Sequence, residues 1–169
     1  LGALPVSPGA DGVGGGAAAG GGGYARRLVG RRVIVMGASS GNWREQVVLP
    51  AMQAMPVPAD VSDEQAAMFL VNPMTAWAMV TQVLKVPRGA WLLQSGGASQ
   101  LARMVIRLGR RRGFRTISLV RRAGVAAQLE GAGADAVVDV SREDVIARVA
   151  ALTGNCGVRH GLDCVGADT

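Results

Sequence analysis

Apolar and polar positions follow two regimes along this chain, and the change falls near Asp60. Beyond it, short apolar runs alternate with stretches of helical periodicity. Ser62 followed by Gln65 is a capping-box pair and predicts a helix over residues 63 to about 71. Pro73 can open a further helix through about residue 84, and Pro87-Arg88-Gly89 reads as a turn. Residues 91–94 are the first buried strand, 99 to about 111 a helix, and 116–120 the second strand. A helix over 125–131 precedes a third strand at 136–140. Ser141 is the expected cap of a helix reaching about residue 152, and 161–165 form the fourth strand. Strands spaced by helices of this length imply an α/β fold, with a parallel sheet and right-handed crossovers.

Before Asp60 the pattern differs. RLVGRRVIVM reads as a strand, and REQVVLPAMQAMPVPAD is demoted to an edge or irregular strand by Pro50, Pro56 and Pro58. The segment GVGGGAAAGGGG, Gly12 to Gly23, is of low complexity and reads on its own as a flexible linker.

Chemistry concentrates in AWLLQSGGASQLARMVIRLGRRRGFRTISLVRR, Ala90 to Arg122. Here a strand runs into a glycine-rich turn, then a helix, then a second strand. Gly97-Ala98-Ser99-Gln100-Leu101-Ala102 follows the G-x-G-x-x-G/A spacing, with Ser at the middle glycine and Ala at the last. The first Gly allows a tight turn, a small middle residue lets the backbone approach a pyrophosphate, and a small last residue lets the helix pack on the strand. Amides at the helix start then face the phosphate charge. Sites for NAD usually place an acid at the end of the second strand to hold the ribose hydroxyls. This chain has Arg121-Arg122 there. Guanidinium groups bind a 2′-phosphate that a carboxylate would repel, so the expected cofactor is NADP(H).

The rest of the composition narrows the picture. The 169 residues carry a net charge of +6, nearly all of the basic residues being Arg, with Lys85 the only Lys. Such a balance can signal a polyanion partner. However, Arg103, Arg107, Arg110, Arg111 and Arg112 lie on one predicted helix, where cations favour the carboxyl end. With three Trp, one Tyr and two Phe, no aromatic platform is interleaved among the arginines, and nucleic acid is not an expected partner. No apolar run reaches the ~20 residues of a membrane span, and no signal-peptide pattern is visible, so no membrane partner is expected. Leu rather than Met at position 1 suggests that the natural start lies upstream. Cys156 and Cys164 make neither a disulfide framework nor a four-thiolate zinc site, and a reducing cytoplasm is the expected location. Both thiols are expected to pack as small apolar groups, and His160 to be an exposed loop residue.

With these residues in hand, the chain resembles the medium-chain dehydrogenase/reductases. Within them it is most similar to the zinc-independent branch of mitochondrial-type 2-enoyl thioester reductases, near the quinone oxidoreductases. VNPMTAW (Val71 to Trp77) is similar to that branch's NPxTAY segment. Ala90 to Arg122 follows its strand, turn and helix pattern. GADAVVDV (Gly133 to Val140) and GLDCVGAD (Gly161 to Asp168) look like its later strands, and SGNWRE (Ser40 to Glu45) resembles a turn of its substrate domain.

The resemblance implies a partial Rossmann-type sheet at 61–169, preceded at 1–60 by part of a GroES-like β-barrel domain whose Gly-rich start would be poorly ordered. It implies that Asn72 contacts the nicotinamide ribose and that Thr75 sits near the nicotinamide. Ala98, Ser99, Gln100 and Leu101 would lie on the pyrophosphate, and Arg121 and Arg122 on the 2′-phosphate. Residue chemistry alone supports Asn72-Pro73 equally well as a helix start. Zinc-dependent relatives carry Gly-His-Glu where this chain has Gly9-Ala10-Asp11, and Cys where it has Val71, so no metal is expected. Relatives are about twice as long and usually form homodimers. The tyrosine thought to donate a proton would lie upstream of Leu1, and Tyr24 is not nominated in its place. The implied activity is NADPH-dependent reduction of a C=C bond conjugated to a carbonyl in a small-molecule substrate. Quinone reduction, a non-catalytic cofactor-binding fragment and a basic polyanion-binding domain are the alternatives.

Overall fold

The computed structural model describes residues 7–37 and 41–166. Ser40 of SGNWRE and Ala167 and Asp168 of GLDCVGAD lie outside the described residues. The chain forms two compact units, Leu1–Val71 and Asn72–Thr169. The contacts divide after Val71 rather than at the compositional step near Asp60. The helix that opens at the capping box packs Ala66 with Ile34, together with Leu70, in the core of the first unit.

In that first unit, β1 (Asp11–Gly15), β2 (Arg32–Met36) and β3 (Ala54–Pro56) form an antiparallel sheet in the order β1-β2-β3. The linker reading of the Gly-rich segment is corrected here. Gly12 to Gly15 pair residue for residue with β2, from Asp11 opposite Met36 to Gly15 opposite Arg32. A ladder needs only backbone groups. The apolar surface comes from the partner strand, where Val33, Ile34 and Val35 are buried. The helix α1 (Gly23–Leu28) follows and buries Leu28 beside Val33 and Val35. The strand β3 is short, lies at the edge and ends at Pro56, as its prolines require. The capping box is formed: Ser62 Oγ accepts from Gln65 N, and the Gln65 side chain accepts from Ser62 N. The helix that follows, α2 (Asp63–Ala67), stops short of the expected residue 71.

In the second unit, α3 (Val71–Ala78) continues as a π-helical turn, Met79–Val83, rather than as one regular helix to residue 84. Thr81 Oγ1 donates to the Trp77 carbonyl (2.7 Å), and Leu84 N reaches back to Met79 O (2.8 Å). This widening of the ladder accompanies full burial of Val80. The strands β4 (Trp91–Gln94), β5 (Arg115–Val120), β6 (Ala136–Asp139) and β7 (His160–Leu162) form a parallel sheet ordered β6-β5-β4-β7. Between β4 and β5 runs α4 (Gln100–Arg112). It buries Ala102, Val105, Ile106 and Gly109, a stripe at helical spacing, and ends on Gly113 in the left-handed region. Ile106 meets Val120 and Leu129 of α5 (Ala126–Gly131). Ile117 and Val138 instead share a core cluster with Val145 and Val149 of α6 (Val145–Thr153). Alternate residues of the central strands therefore feed different cores.

Three further expectations change in this unit. Asp144, not Ser141, caps α6, with Asp144 Oδ1 accepting from Ile146 N (2.9 Å) and Ala147 N (3.1 Å). Ser141 instead donates its amide and hydroxyl to Asp139 Oδ1, which holds the Asp139 carboxyl below its usual range. The strand β7 starts at His160, placing that half-buried histidine in the sheet, and stops at Leu162 where Asp163 begins a turn. Asp144→Ala should cost about 1 kcal/mol of stability, lowering the thermal midpoint by several degrees. An unchanged midpoint would reject Asp144 as the cap.

Candidate nucleotide-binding site

At the end of β4 the chain must turn into α4 while touching β5, and two glycines divide that work. Gly96 takes the left-handed conformation (φ 56°). Gly97 is required by proximity: a Cβ there would lie 2.8 Å from Ser118 Cβ and 3.0 Å from Leu119 O. The tight turn assigned to Gly97 from sequence therefore belongs to Gly96. Gly97 N donates to Leu119 O (2.9 Å) and fastens the loop to β5.

Ser99, standing where the middle glycine would be, caps α4 by accepting from Ala102 N (3.1 Å). Among the described residues, the amides of Ala98, Gln100 and Leu101 have no acceptor. The first turn of α4 also contains no acid. Unspent donors at the positive end of a 13-residue helix favour negative charge there. Arg103 adds charge here, correcting its assignment to the carboxyl end of the helix. Its Nε donates to Ala98 O (3.3 Å), and Nη2 to Gln128 Oε1 (3.2 Å). Only Arg110, Arg111 and Arg112 lie in the last turn.

Beneath the loop lies a polar anchor that sequence reasoning missed. Gln94 is fully buried, and its Nε2 donates to Ala102 O (3.2 Å) and Ser118 Oγ (2.9 Å). Its Oε1 is buried without a partner among the described residues. The signal was a lone amide in the apolar run Trp91 to Gln94. Ala102 is also fully buried, which suits the small last residue of the motif.

Pairing of β4 with β5 brings the second half of the motif alongside. Leu93 lies opposite Ile117 and Gln94 opposite Ser118 in parallel pairing, so both strands end at the same, carboxyl end of the sheet. Arg121 and Arg122 follow there, both exposed, and neither forms an ion pair or side-chain hydrogen bond among the described residues. The structure thus gathers Gly97 to Ala102 with Arg121 and Arg122. Asn72 and Thr75 lie on α3, one turn apart, Asn72 partly buried and Thr75 exposed. No hydrogen bond joins either to the loop among the described residues. The helix α3 is held by Ala76 and Val80, which pack with Leu92 and Val105.

Other candidates fall elsewhere. Cys164 is half-buried against the core around Leu92 and Leu162, and burial pushes its thiol up, which makes it a poor nucleophile. Cys156 is exposed, contrary to the expectation that it packs inside. Among the described residues no three His, Cys, Asp or Glu side chains converge on a metal position. No described helix is long and apolar enough to cross a membrane. Two arginines do meet aromatic rings: Arg112 lies 5.2 Å over Trp77, and Arg115 4.2 Å over Trp91.

No protein-family model matches the chain. It is 30% identical over 174 residues to a Caenorhabditis elegans mitochondrial enoyl-[acyl-carrier-protein] reductase, covering 98% of this chain and 49% of that one. Among solved structures it is similar to a putative NADPH:quinone reductase from Bacillus thuringiensis, with a TM-score of 0.90, 30% identity, and coverage of 98% and 49%. A mycobacterial protein solved in complex with NADPH matches with a TM-score of 0.81 and 33% identity, over 94% of this chain and 50% of that one. The chain spans about half the length of the relatives it matches.

Proposed function

From its kinship with the medium-chain dehydrogenase/reductases, of which it spans about half, we propose that this chain holds NADPH for a reductase acting on a C=C bond conjugated to a carbonyl. The observation that carries the proposal is the pairing of three unspent amides, at Ala98, Gln100 and Leu101, with two arginines that have no ion pair among the described residues, at the same carboxyl end of the sheet. An acid-free helix start suits a pyrophosphate, and the exposed guanidiniums of Arg121 and Arg122 suit a 2′-phosphate. Gly97 and the buried Ala102 keep the loop close to β5, and Ser99 caps the first turn while the amides of Gln100 and Leu101 stay free. Asn72 and Thr75 are proposed to serve the nicotinamide end as small polar groups on α3. NADPH supplies hydride when bound; these residues bind and orient it. No proton donor is assigned to a residue of this chain.

The enoyl thioester reading follows the curated relative, and quinone reduction follows the similarity to the Bacillus thuringiensis structure. Zinc independence is part of the proposal, because Ala10 and Val71 occupy the ligand positions of zinc-dependent relatives. The proposed partners are a small-molecule substrate and, for a full-length relative, a second copy. No nucleic-acid role is proposed. A reducing cytoplasm suits the free cysteines, and the mitochondrial name of the relative makes the mitochondrion the competing location, which fractionation would decide. Fluorescence titration should show saturable NADPH binding that is much tighter than NADH binding. Equal affinities, or none, would overturn the cofactor assignment. Oxidation of NADPH with an enoyl thioester but not a quinone separates the two activities.

A further inference from the structure

The carboxyl end of β7 lies beside the phosphate loop, and a directed chain of hydrogen bonds joins them. Cys164 N donates to Ser95 Oγ (2.9 Å), and the Ser95 hydroxyl donates to Asp163 Oδ1. The same carboxylate accepts from Val165 N at Oδ1 (3.0 Å) and from Gly166 N at Oδ2 (2.9 Å). Ser95 N also donates to Leu162 O (3.0 Å). A serine hydroxyl has one proton. The Asp163 carboxylate can only accept, so that proton points to Asp163 and leaves Ser95 Oγ a lone pair for Cys164 N. A Cβ added at Gly96 would lie 3.4 Å from Val165 Cγ2 and 3.5 Å from Cys164 Cβ, so the two loops are also in close packing.

We propose that Ser95 and Asp163 are a positioning pair that locks the loop after β4 to the loop after β7 and so aims the amides of Ala98, Gln100 and Leu101 at the cofactor. This rests on the NADPH reading above. Gly97 fastens the loop to β5 on one side, and Ser95 fastens it to β7 on the other. The pair needs a carboxylate: the Asp163 oxygens face three donors, and an asparagine would turn its own NH2 toward one of them. The Ser95 hydroxyl, followed by the two backbone amides, holds the Asp163 carboxyl below its usual range. A depressed carboxyl keeps its partners above its ordinary titration and loses them as pH falls through the lowered value. NADPH affinity should therefore show no Asp163-linked loss from neutral pH down to about pH 5.

The test compares the parent chain with Ser95→Ala, Ser95→Thr and Asp163→Asn. It uses NADPH and adenosine 2′-monophosphate as ligands and amide hydrogen exchange of residues 95–98 and 163–166. Asp163→Asn removes a negative charge near a bound dinucleotide, so electrostatics alone would tighten NADPH. The positioning pair requires the opposite sign: NADPH weakened about tenfold in Ser95→Ala and Asp163→Asn, the equivalent of one lost hydrogen bond. Adenosine 2′-monophosphate, which needs only the arginines, should bind as in the parent. Ser95→Thr should restore NADPH binding, and exchange should quicken in the two loops while the β5 amides stay protected. Tighter or unchanged NADPH binding, or equal loss of both ligands, overturns the proposal. A parent that ignores NADPH overturns the cofactor reading instead. The lock is then judged on exchange alone, where unchanged loop protection rejects it and faster exchange supports it.

Discussion

Gly97→Val is expected to weaken both the fold of the Asn72–Thr169 unit and its grip on NADPH. Even its Cβ would lie 2.8 Å from Ser118 Cβ, 3.0 Å from Leu119 O and 3.2 Å from Val120 Cγ1. All three contacts belong to β5, whose Ser118 is fully buried and whose Val120 is nearly so, and the strand's Leu119 carbonyl cannot swing aside. Relief requires moving the loop away from β5, which breaks the bond from Gly97 N to Leu119 O. Overpacking of this kind costs about 1–3 kcal/mol, and each kcal/mol lowers the midpoint of a unit this size by roughly 4–8 °C. Because the loop that lifts is the one presenting the free amides, NADPH affinity should fall at least about tenfold beyond any loss of folded protein. Gly124→Ala is the control: beyond its chain neighbours no described atom lies within 4 Å of the added Cβ, and stability should stay within about 0.5 kcal/mol of the parent. A Gly97→Val protein with parental midpoint and NADPH affinity would show that the loop does not depend on close approach to β5.

The joint substitution Arg121→Ala and Arg122→Ala should cost NADPH about a hundredfold in affinity and NADH no more than a few-fold. Each guanidinium can give a charge-assisted hydrogen bond to a phosphate oxygen, and two such bonds at about 1.4 kcal/mol each reach that factor. Both side chains are exposed and without partners among the described residues, so their removal leaves the folded unit intact. The same exposure makes the attraction sensitive to salt, and the NADPH preference of the parent should shrink as ionic strength rises. Equal losses for the two cofactors would remove the 2′-phosphate assignment.

The second unit was largely legible in the sequence because its signals are local and repeat. Residues 91–94 form β4 as expected, and the helix expected at 99–111 is α4 at Gln100–Arg112 with Ser99 as its cap. Apolar spacing reports burial when a helix lies on a sheet, and the stripe that α4 buries, Ala102, Val105, Ile106 and Gly109, follows that spacing. The same locality misled where two polar residues competed for one job. Ser141 and Asp144 are both good caps, and the choice depended on Asp139, which captures Ser141. Arg103 was grouped with its neighbours along the helix, whereas its side chain folds back to the carbonyl of Ala98.

The Gly-rich segment shows the opposite limit. Composition has no way to express that Val33, Ile34 and Val35 of a distant strand would supply the apolar surface for Gly12 to Gly15. Strand pairing is a non-local property, and a glycine strand borrows its order from its partner.

From the sequence alone came the alternation of strand and helix, the phosphate-loop spacing, and the pair of arginines proposed to select the cofactor. These are set within a few residues by periodicity, turn chemistry and charge. Only the tertiary structure decided which glycine turns the chain and which one makes room for β5. It also showed that Gln94 anchors the loop from below and that Ser95 and Asp163 tie it to β7. Those roles depend on residues 24 to 69 positions apart meeting at the carboxyl end of a parallel sheet, and no local pattern encodes such a meeting.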